Sequence, residues 1–410
     1  MRYYANYKYN GQNINNLGDH IQILTIDYLY SLMGIKKEDI VYIDINDLGT
    51  YNGKEVYLPV SMPLVNYSEH GLSGVFSSKI HPVFFGVTTP KQVLLPEEIE
   101  YFQKCEPVGC RDEQAYNTMV KYGIKAYLGG CLTVTLPKRT PDPEKQKKVF
   151  IVDVPDNFKK FIPDDIAQNA IWDTHIFYNR FDDPTKVAAE RYNRYQNEAK
   201  LLITGLLHGA VPCAAFGIPV ILARDCMSYR FAWLESLLQI YTPESYSSVN
   251  WNPEPVNFEE HKKQVRNLFV KRMSGQTAAD EIEYVHNFYI NREKHEYVND
   301  VFFSIQNFID TTWTDHNAYY QYAVWGLTHM AEITVDYISE RYPNAKLTHV
   351  YDINTEKSFR GIKAVHPDNI AGFPDETVFV TTVSAAEPAK NFFNKIGKQQ
   401  NKYKTLEIIR

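Results

Sequence analysis

The chain has no excess of positive charge, no Cys-x-x-Cys pair and no basic run interleaved with aromatics. With 43 Lys and Arg against 49 Asp and Glu its formal net charge is −6, which gives no general attraction for a phosphate backbone and argues against nucleic acid as a partner. The five cysteines (Cys105, Cys110, Cys131, Cys213, Cys226) are odd in number and scattered, so neither a disulfide framework nor a zinc site is expected. No cluster of His, Asp and Glu has the spacing of metal ligands, and no metal is expected. The stretch from Met1 to Lys8 lacks the apolar core of a signal peptide, which makes a cytoplasmic location the expectation. Residues 201–223 carry no formal charge over a length that could cross a bilayer. Gly205, Gly209, Pro212, Gly217 and Pro219 cut that run into strand, helix and strand, so no transmembrane segment is expected.

What is present is ordinary globular composition, 44% apolar and 22% charged, in 410 residues, enough for two or three domains. The 30 tyrosines suit sugar faces that stack on flat rings beside a hydroxyl. They equally suit packing at domain edges.

Residues 1–140 alternate short apolar runs with amphipathic stretches. Strands are expected at Tyr3–Tyr9, Ile40–Asp44, Val56–Val60, Val83–Val87, Val108–Arg111 and Lys125–Leu128. Helical spacing puts Ile21, Leu24, Tyr28 and Leu32 on one face of the first helix, and Asp112–Tyr122 reads as another. The segment Lys138–Lys148 is rich in Pro and charge, and a domain boundary is placed there.

The pattern then restarts. Strands are read at Val149–Val154, Asn169–Phe177, Lys200–Thr204 and Ile218–Ala223, with helices at Pro184–Glu198 and His208–Phe216. Residues 256–312 read as a helical segment bracing the lobes, and residues 313–410 as a third small βα unit. The expected class is α/β, with Rossmann-like lobes over residues 1–140 and 141–255 facing a cleft, and a small C-terminal Rossmann-like domain.

Three constellations carry chemistry. The run Leu202–Ala210 with Gly217-Ile218-Pro219 is a strand, a tight turn and a helix start, so the amides around Gly205 and Gly209 and the helix dipole make an anion seat. His208 stands at that helix start, where the dipole favours a neutral base and a bound phosphate favours an acid; both stay open, as does a plain capping role. Asn15–His20 opens the first helix: Gly18 lets the chain approach a ligand, while Asn16, Asp19 and His20 offer groups for sugar hydroxyls, or simply cap the helix. Pro107–Glu113 ends a strand in Arg111, which can fork onto a carboxylate or phosphate or pair with Asp112 or Glu113. Arg224 and Arg230 add cations beyond the His208 helix.

Asn16-Leu17-Gly18-Asp19, Gly109-Cys110-Arg111-Asp112 and Leu207-His208-Gly209 with Gly217-Ile218-Pro219, in this order, resemble the polysaccharide pyruvyl transferase family over about residues 12–240. The resemblance implies a fold similar to two-domain GT-B glycosyltransferases and transfer of pyruvate from phosphoenolpyruvate onto two hydroxyls of one sugar as a ketal, with release of phosphate. It implies His208, Arg111 and Asp19 as catalytic residues. The donor would be held by Arg111, Gly205, His208, Gly209, Arg224 and Arg230, and the acceptor by Asn16, Gly18, Asp19 and His20. No cofactor is required on this reading. The acceptor would be a sugar or lipid-linked saccharide of a bacterial surface glycan, met at the inner membrane surface; a homo-oligomer stays open. One departure stands out: family members usually carry Arg two residues before the motif histidine, where this chain has Leu206. Arg230 or Arg224 is expected to supply that charge, with Arg230 preferred. The alternatives are a GT-B-like glycosyltransferase using a nucleotide-sugar donor and a non-catalytic glycan-binding protein. In the C-terminal unit Gly326 and Asp352 resemble a degenerate dinucleotide fingerprint, for which a packing or partner-binding role is favoured.

Overall fold

A computed structural model describes residues 2–9, 15–62, 76–89, 94, 96–177, 183–292 and 302–407. They form two compact units, one of Met1–Thr89 with Val93–Tyr297 and one of Pro90–Gln92 with Val298–Ile409.

The first unit opens with β1 (Tyr4–Lys8), β2 (Asn15–Asn16), α1 (Leu17–Leu32), β3 (Ile40–Asp44), β4 (Val56–Val60) and β5 (Ile80–Phe84). After them come α2 (Pro96–Lys104), β6 (Val108–Cys110), α3 (Glu113–Lys121) and β7 (Ala126–Leu128). The order β3-β1-β4-β5 is parallel throughout, and a bridge from Val87 to Cys110 leads on to the parallel pair β6–β7.

The second lobe comprises β8 (Lys148–Val152), α4 (Asp164–Asn169), β9 (Ile171–Asp173), β10 (Ile176–Phe177), α5 (Pro184–Glu198), β11 (Ala199–Thr204), α6 (Leu207–Ala215), β12 (Val220–Ala223), α7 (Tyr229–Ala232) and β13 (Ile240–Tyr241). Its parallel sheet runs β13-β12-β11-β8-β9. The central strands are near-continuous apolar runs because helices or loops cover both faces: Leu201, Leu202 and Ile203 are all buried, and so are Phe150, Ile151 and Val152.

In both sheets the chain leaves the first strand for one neighbour and returns to the other side. That puts a topological switch point, and hence a crevice at the carboxyl ends, between β1 and β4 and between β8 and β11.

Helices α8 (Glu259–Met273) and α9 (Ala279–Ile290) complete the unit. One apolar cluster runs from Ala5, Leu58 and Val108 through Ala210 and Val211 of α6 to Phe269 and Val285. Burial of a side chain such as Phe269 contributes about 1.5–3 kcal/mol. Arg266 ties α8 to the first lobe through the Thr135 carbonyl at 2.6 Å, and Arg272 does so through Pro107 O at 2.8 Å.

The second unit holds α10 (Phe303–Thr312), β14 (Gln321–Trp325), α11 (His329–Arg341), β15 (Lys346–Tyr351), the hairpin of β16 (Ser358–Phe359) and β17 (Ile362–Lys363), then β18 (Thr377–Val380), α12 (Val383–Lys395) and β19 (Tyr403–Thr405). Its sheet β15-β14-β18-β19 is parallel. No helix among the described residues is long and apolar enough to cross a membrane.

Three expectations are corrected. The strand expected at Val83–Val87 begins at Ile80: Pro82 makes the stretch look like a loop, but β5 ends its ladder, where a missing N–H costs no bond. The strand expected over Asn169–Phe177 is the end of α4 followed by two short strands. On α1, Leu32 is 48% exposed, whereas Ile23, Ile26 and Leu29 are buried. That helix contacts β1 on one side and α5, α6 and the 3-10 turn Leu132–Thr135 on others, so no single stripe describes its buried surface.

Candidate active site

The site assembles where α1 of the first lobe meets α6 of the second. Asn16 caps α1, its Oδ1 accepting from Gly18 N at 3.0 Å, so the capping chemistry legible in the sequence is realised. A second tie comes from the other lobe. β2 pairs antiparallel with β10, and Leu17 N donates to the His175 carbonyl at 2.9 Å.

This docking brings Gly18 against His208. A Cβ on Gly18 would sit 2.7 Å from His208 Nδ1 and 3.0 Å from its Cβ, so the close approach this glycine permits is to the imidazole itself. His208 stands in the first turn of α6, whose cap residue Leu206 supplies no side-chain hydrogen bond. Its Nε2 lies 3.6 Å from the Cys131 thiol, and its carbonyl accepts from Tyr192 OH at 2.6 Å.

Gly205 in the turn before α6 and Gly209 within the helix are both closely packed. A Cβ on Gly209 would meet Thr204 Oγ1 at 2.6 Å, and one on Gly205 the Asp153 carbonyl at 2.7 Å. The Gly209 amide itself donates to Leu206 O.

Arg111 is 2% exposed at the carboxyl end of β6. Its Nη2 donates to Gln22 Oε1 at 2.8 Å and to Ser61 O at 2.6 Å. Its Nε and the Oγ of Ser61 are buried without a hydrogen-bond partner among the described residues, as is Ser228 Oγ at the start of α7. Buried polar atoms are almost always satisfied, and these three are exceptions.

Electrostatics tie these elements together. Burial lifts the Asp19 carboxyl from 3.8 to about 6, against the pull of Arg111 and Arg230. The same two guanidinium groups act on His208. Burial foremost, then Arg111, Arg230 and His175, drives its imidazole well below the ordinary 6.5. Asp19 and His208 thus both feel the guanidinium groups of Arg111 and Arg230, with the imidazole held neutral and the carboxyl raised to about 6.

Other expected residues lie elsewhere. Arg224 Nη1 donates to Gly205 O at 2.8 Å and its guanidinium covers the Phe231 ring at 4.0 Å, so it braces the turn before α6. His20 is 3% exposed, its Nδ1 lies 2.9 Å from Thr185 Oγ1, and burial takes its pKa down to about 4. Gly326 and Asp352 belong to the second unit. There the Asp352 carboxylate accepts from Asn354 N at 2.8 Å and lies 3.6 Å from Lys357 Nζ.

Cys131, Ser61, Gln22 and Tyr192 were not singled out from sequence. Gly129-Gly130 just before Cys131 was the one available signal. Ser61 and Gln22 gave none, because a lone polar residue after a strand or inside a helix is commonplace. Among the described residues no group of three His, Cys, Asp or Glu could hold a metal ion.

A two-lobed α/β chain with a buried carboxyl and a neutral imidazole that both feel two arginines has the makings of a group-transfer enzyme. The family model of polysaccharide pyruvyl transferases matches residues 16–223, about half of the chain, from the α1 cap to the end of β12. The chain belongs to the polysaccharide pyruvyl transferase family, which makes it a transferase by class. No curated protein matches it. Among solved structures, a functionally uncharacterised protein from Klebsiella pneumoniae is similar at 13% identity, over 54% of this chain and 83% of that one, with a TM-score of 0.31. A manganese-bound periplasmic metal-binding protein from Candidatus Liberibacter asiaticus is similar at 12% identity, over 64% and 90%, with a TM-score of 0.18. Neither score bears on the fold or the site.

Proposed function

We propose that the chain transfers pyruvate from phosphoenolpyruvate to two hydroxyls of one sugar, forming a ketal. The observation that carries this reading is that Arg111 and Arg230 act on both Asp19 and His208. A donor with a phosphate and a carboxylate needs two cations, and its chemistry needs one proton donor and one acceptor.

Asp19 gives its proton to the donor's methylene carbon while a sugar hydroxyl attacks the adjacent carbon and loses its proton to His208. A second hydroxyl then displaces phosphate. Its proton restores Asp19, and the proton held by His208 leaves with the phosphate. The scheme uses no metal or cofactor. Arg230 takes the place of the arginine that Leu206 replaces, and Arg224 acts through Gly205. The α1 loop with Asn16 and Gly18 faces the acceptor, a free or lipid-linked saccharide.

The test is release of phosphate from phosphoenolpyruvate in the presence of candidate acceptors. Release that depends on acceptor and vanishes in His208→Ala supports the scheme; release unchanged in that variant ends it. A second reading, transfer from a nucleotide-sugar donor, is favoured by Leu206 alone. Thermal shift separates the two, since a donor that binds the native state raises Tm. Stabilisation by a uridine or guanosine diphosphate sugar, without stabilisation by phosphoenolpyruvate, selects the second reading. A glycan that binds while no donor is consumed selects a binding protein.

A further inference from the structure

The helix that carries His208 has a proline where a hydrogen-bond donor belongs. In an α-helix each carbonyl accepts from the amide four residues on. Bonds of that kind flank the point in question: Ala210 N donates to Leu206 O at 2.9 Å, and Phe216 N to Pro212 O at 2.9 Å. The partner of the His208 carbonyl in the same ladder is residue 212, and Pro212, inside α6, has no N–H to give. A proline ring also crowds the carbonyl four residues before it.

The missing donor comes from another helix. Tyr192 of α5 is 2% exposed, and its hydroxyl donates to His208 O at 2.6 Å. Burial raises this hydroxyl well above its ordinary 10, so it keeps the proton that the bond needs. The ring is held by its neighbours, edge-on to Tyr195 at 5.8 Å and to His175 at 5.4 Å between centroids. His175 is the residue whose carbonyl accepts from Leu17 N at the start of α1. Tyr192 therefore stands beside both the clasp on α1 and the first turn of α6, near enough to Asp19 for its charge to act on the hydroxyl.

The surroundings leave the imidazole little slack. A methyl on Gly18 would lie 2.7 Å from Nδ1, and Nε2 is 3.6 Å from Cys131 Sγ. A shift of the His208 backbone is a shift of its ring against these neighbours.

We propose that Tyr192 is a positioning residue for His208: its hydroxyl takes the place of the amide that Pro212 lacks and so fixes the first turn of α6 against α5. The tyrosine acts through the His208 backbone. The part of His208 in catalysis rests on the pyruvyl-transfer reading; the replacement of the amide by the hydroxyl does not.

Tyr192→Phe removes the hydroxyl and keeps the ring, while Pro212→Ala supplies the missing amide. The whole chain, labelled with 13C at histidine Cε1, is read by NMR, the His208 resonance being the one lost in His208→Ala. Rates at varied phosphoenolpyruvate give kcat and KM in parallel. Tyr192→Phe should shift the His208 resonance and lower kcat about tenfold with KM within about twofold, since 1 Å of misplacement costs up to about 10²-fold. Pro212→Ala alone should turn over like the parent. The double variant, Tyr192→Phe with Pro212→Ala, should return both resonance and kcat close to the parent's. The proposal falls if Tyr192→Phe leaves the resonance unchanged, or if the resonance stays altered in the double variant. If Tyr192→Phe is too unstable to assay, the double variant decides alone: folded with the parent's resonance it upholds the proposal, and otherwise it ends it. A parent that releases no acceptor-dependent phosphate counts against the transfer reading, and the resonance still decides the role of Tyr192.

Discussion

The two units carry parallel sheets of like topology, yet their strand ends are finished in opposite ways. In the first, Arg111 Nε, Ser61 Oγ and Ser228 Oγ are buried without a hydrogen-bond partner among the described residues, and Asp19 and His208 are far from their ordinary titration ranges. In the second, the corresponding polar groups are spent on the fold. Thr381 Oγ1 donates to Trp325 O at 3.1 Å, and Asp352 holds the Asn354 amide and the Lys357 ammonium. A switch point is therefore not a site by topology alone. What differs is how far the polar groups around it are spent on the fold.

That contrast can be broken at its strongest point by removing the imidazole. His208→Ala should lower acceptor-dependent turnover by about 10³-fold, as expected for loss of a proton-transfer group, with Tm little changed. Arg111→Lys keeps the charge and loses the fork. It should cost about 10²-fold in kcat/KM, read from rates at varied phosphoenolpyruvate. Gly18→Ala sharpens the comparison differently, since its methyl would press on His208 Nδ1. Turnover should fall by tens of fold while far-UV circular dichroism stays the same, because about 1 Å of misplacement costs up to about 10²-fold.

Asp19 separates the units by pH. Its carboxyl titrates at about 6 in the folded chain against 3.8 ordinarily, so the folded state holds this proton more tightly than the unfolded one. Its contribution to stability is complete below about pH 4 and is lost as pH rises to about 6. Asp19→Asn should flatten that part of a Tm-versus-pH curve and abolish the decline of turnover above pH 6, while removing most of the turnover. In the second unit Gly326 sits at φ +93°, and a Cβ there would lie 2.5 Å from Thr382 Cγ2. Gly326→Ala should destabilise that unit by about 1–2 kcal/mol and leave transfer unaltered. A loss of transfer would show that the second unit contributes to the reaction.

Much of the frame was legible because β-branched runs and helix caps are local signals. Ile40–Asp44, Val56–Val60 and Pro184–Glu198 are found at the expected bounds, and Asp183 and Asp112 cap their helices as Asx residues do. The site was legible only in part. Asp19, Arg111, His208 and Arg230 each sit in or beside a turn-and-helix motif that announces itself in one dimension. Cys131, Ser61, Gln22 and Tyr192 gain their positions only from folding, through contacts such as Arg111 to Gln22, 89 residues apart. Whether Gly209 offered an amide or a smooth surface was equally invisible, since the answer lay in its distance from Thr204.

The two-residue ladder between Asn15–Asn16 and Ile176–Phe177 has a mechanical corollary. It pins the start of the helix bearing Asp19 to the lobe bearing His208, some 190 residues later in sequence, so the two residues proposed as acid and base ride on one joint. Any breathing of the cleft that kept this clasp shut would swing the far rim while the reacting pair stayed in register. Substrates would then enter and leave from that far rim, and no closure step would be needed to bring the proton carriers together.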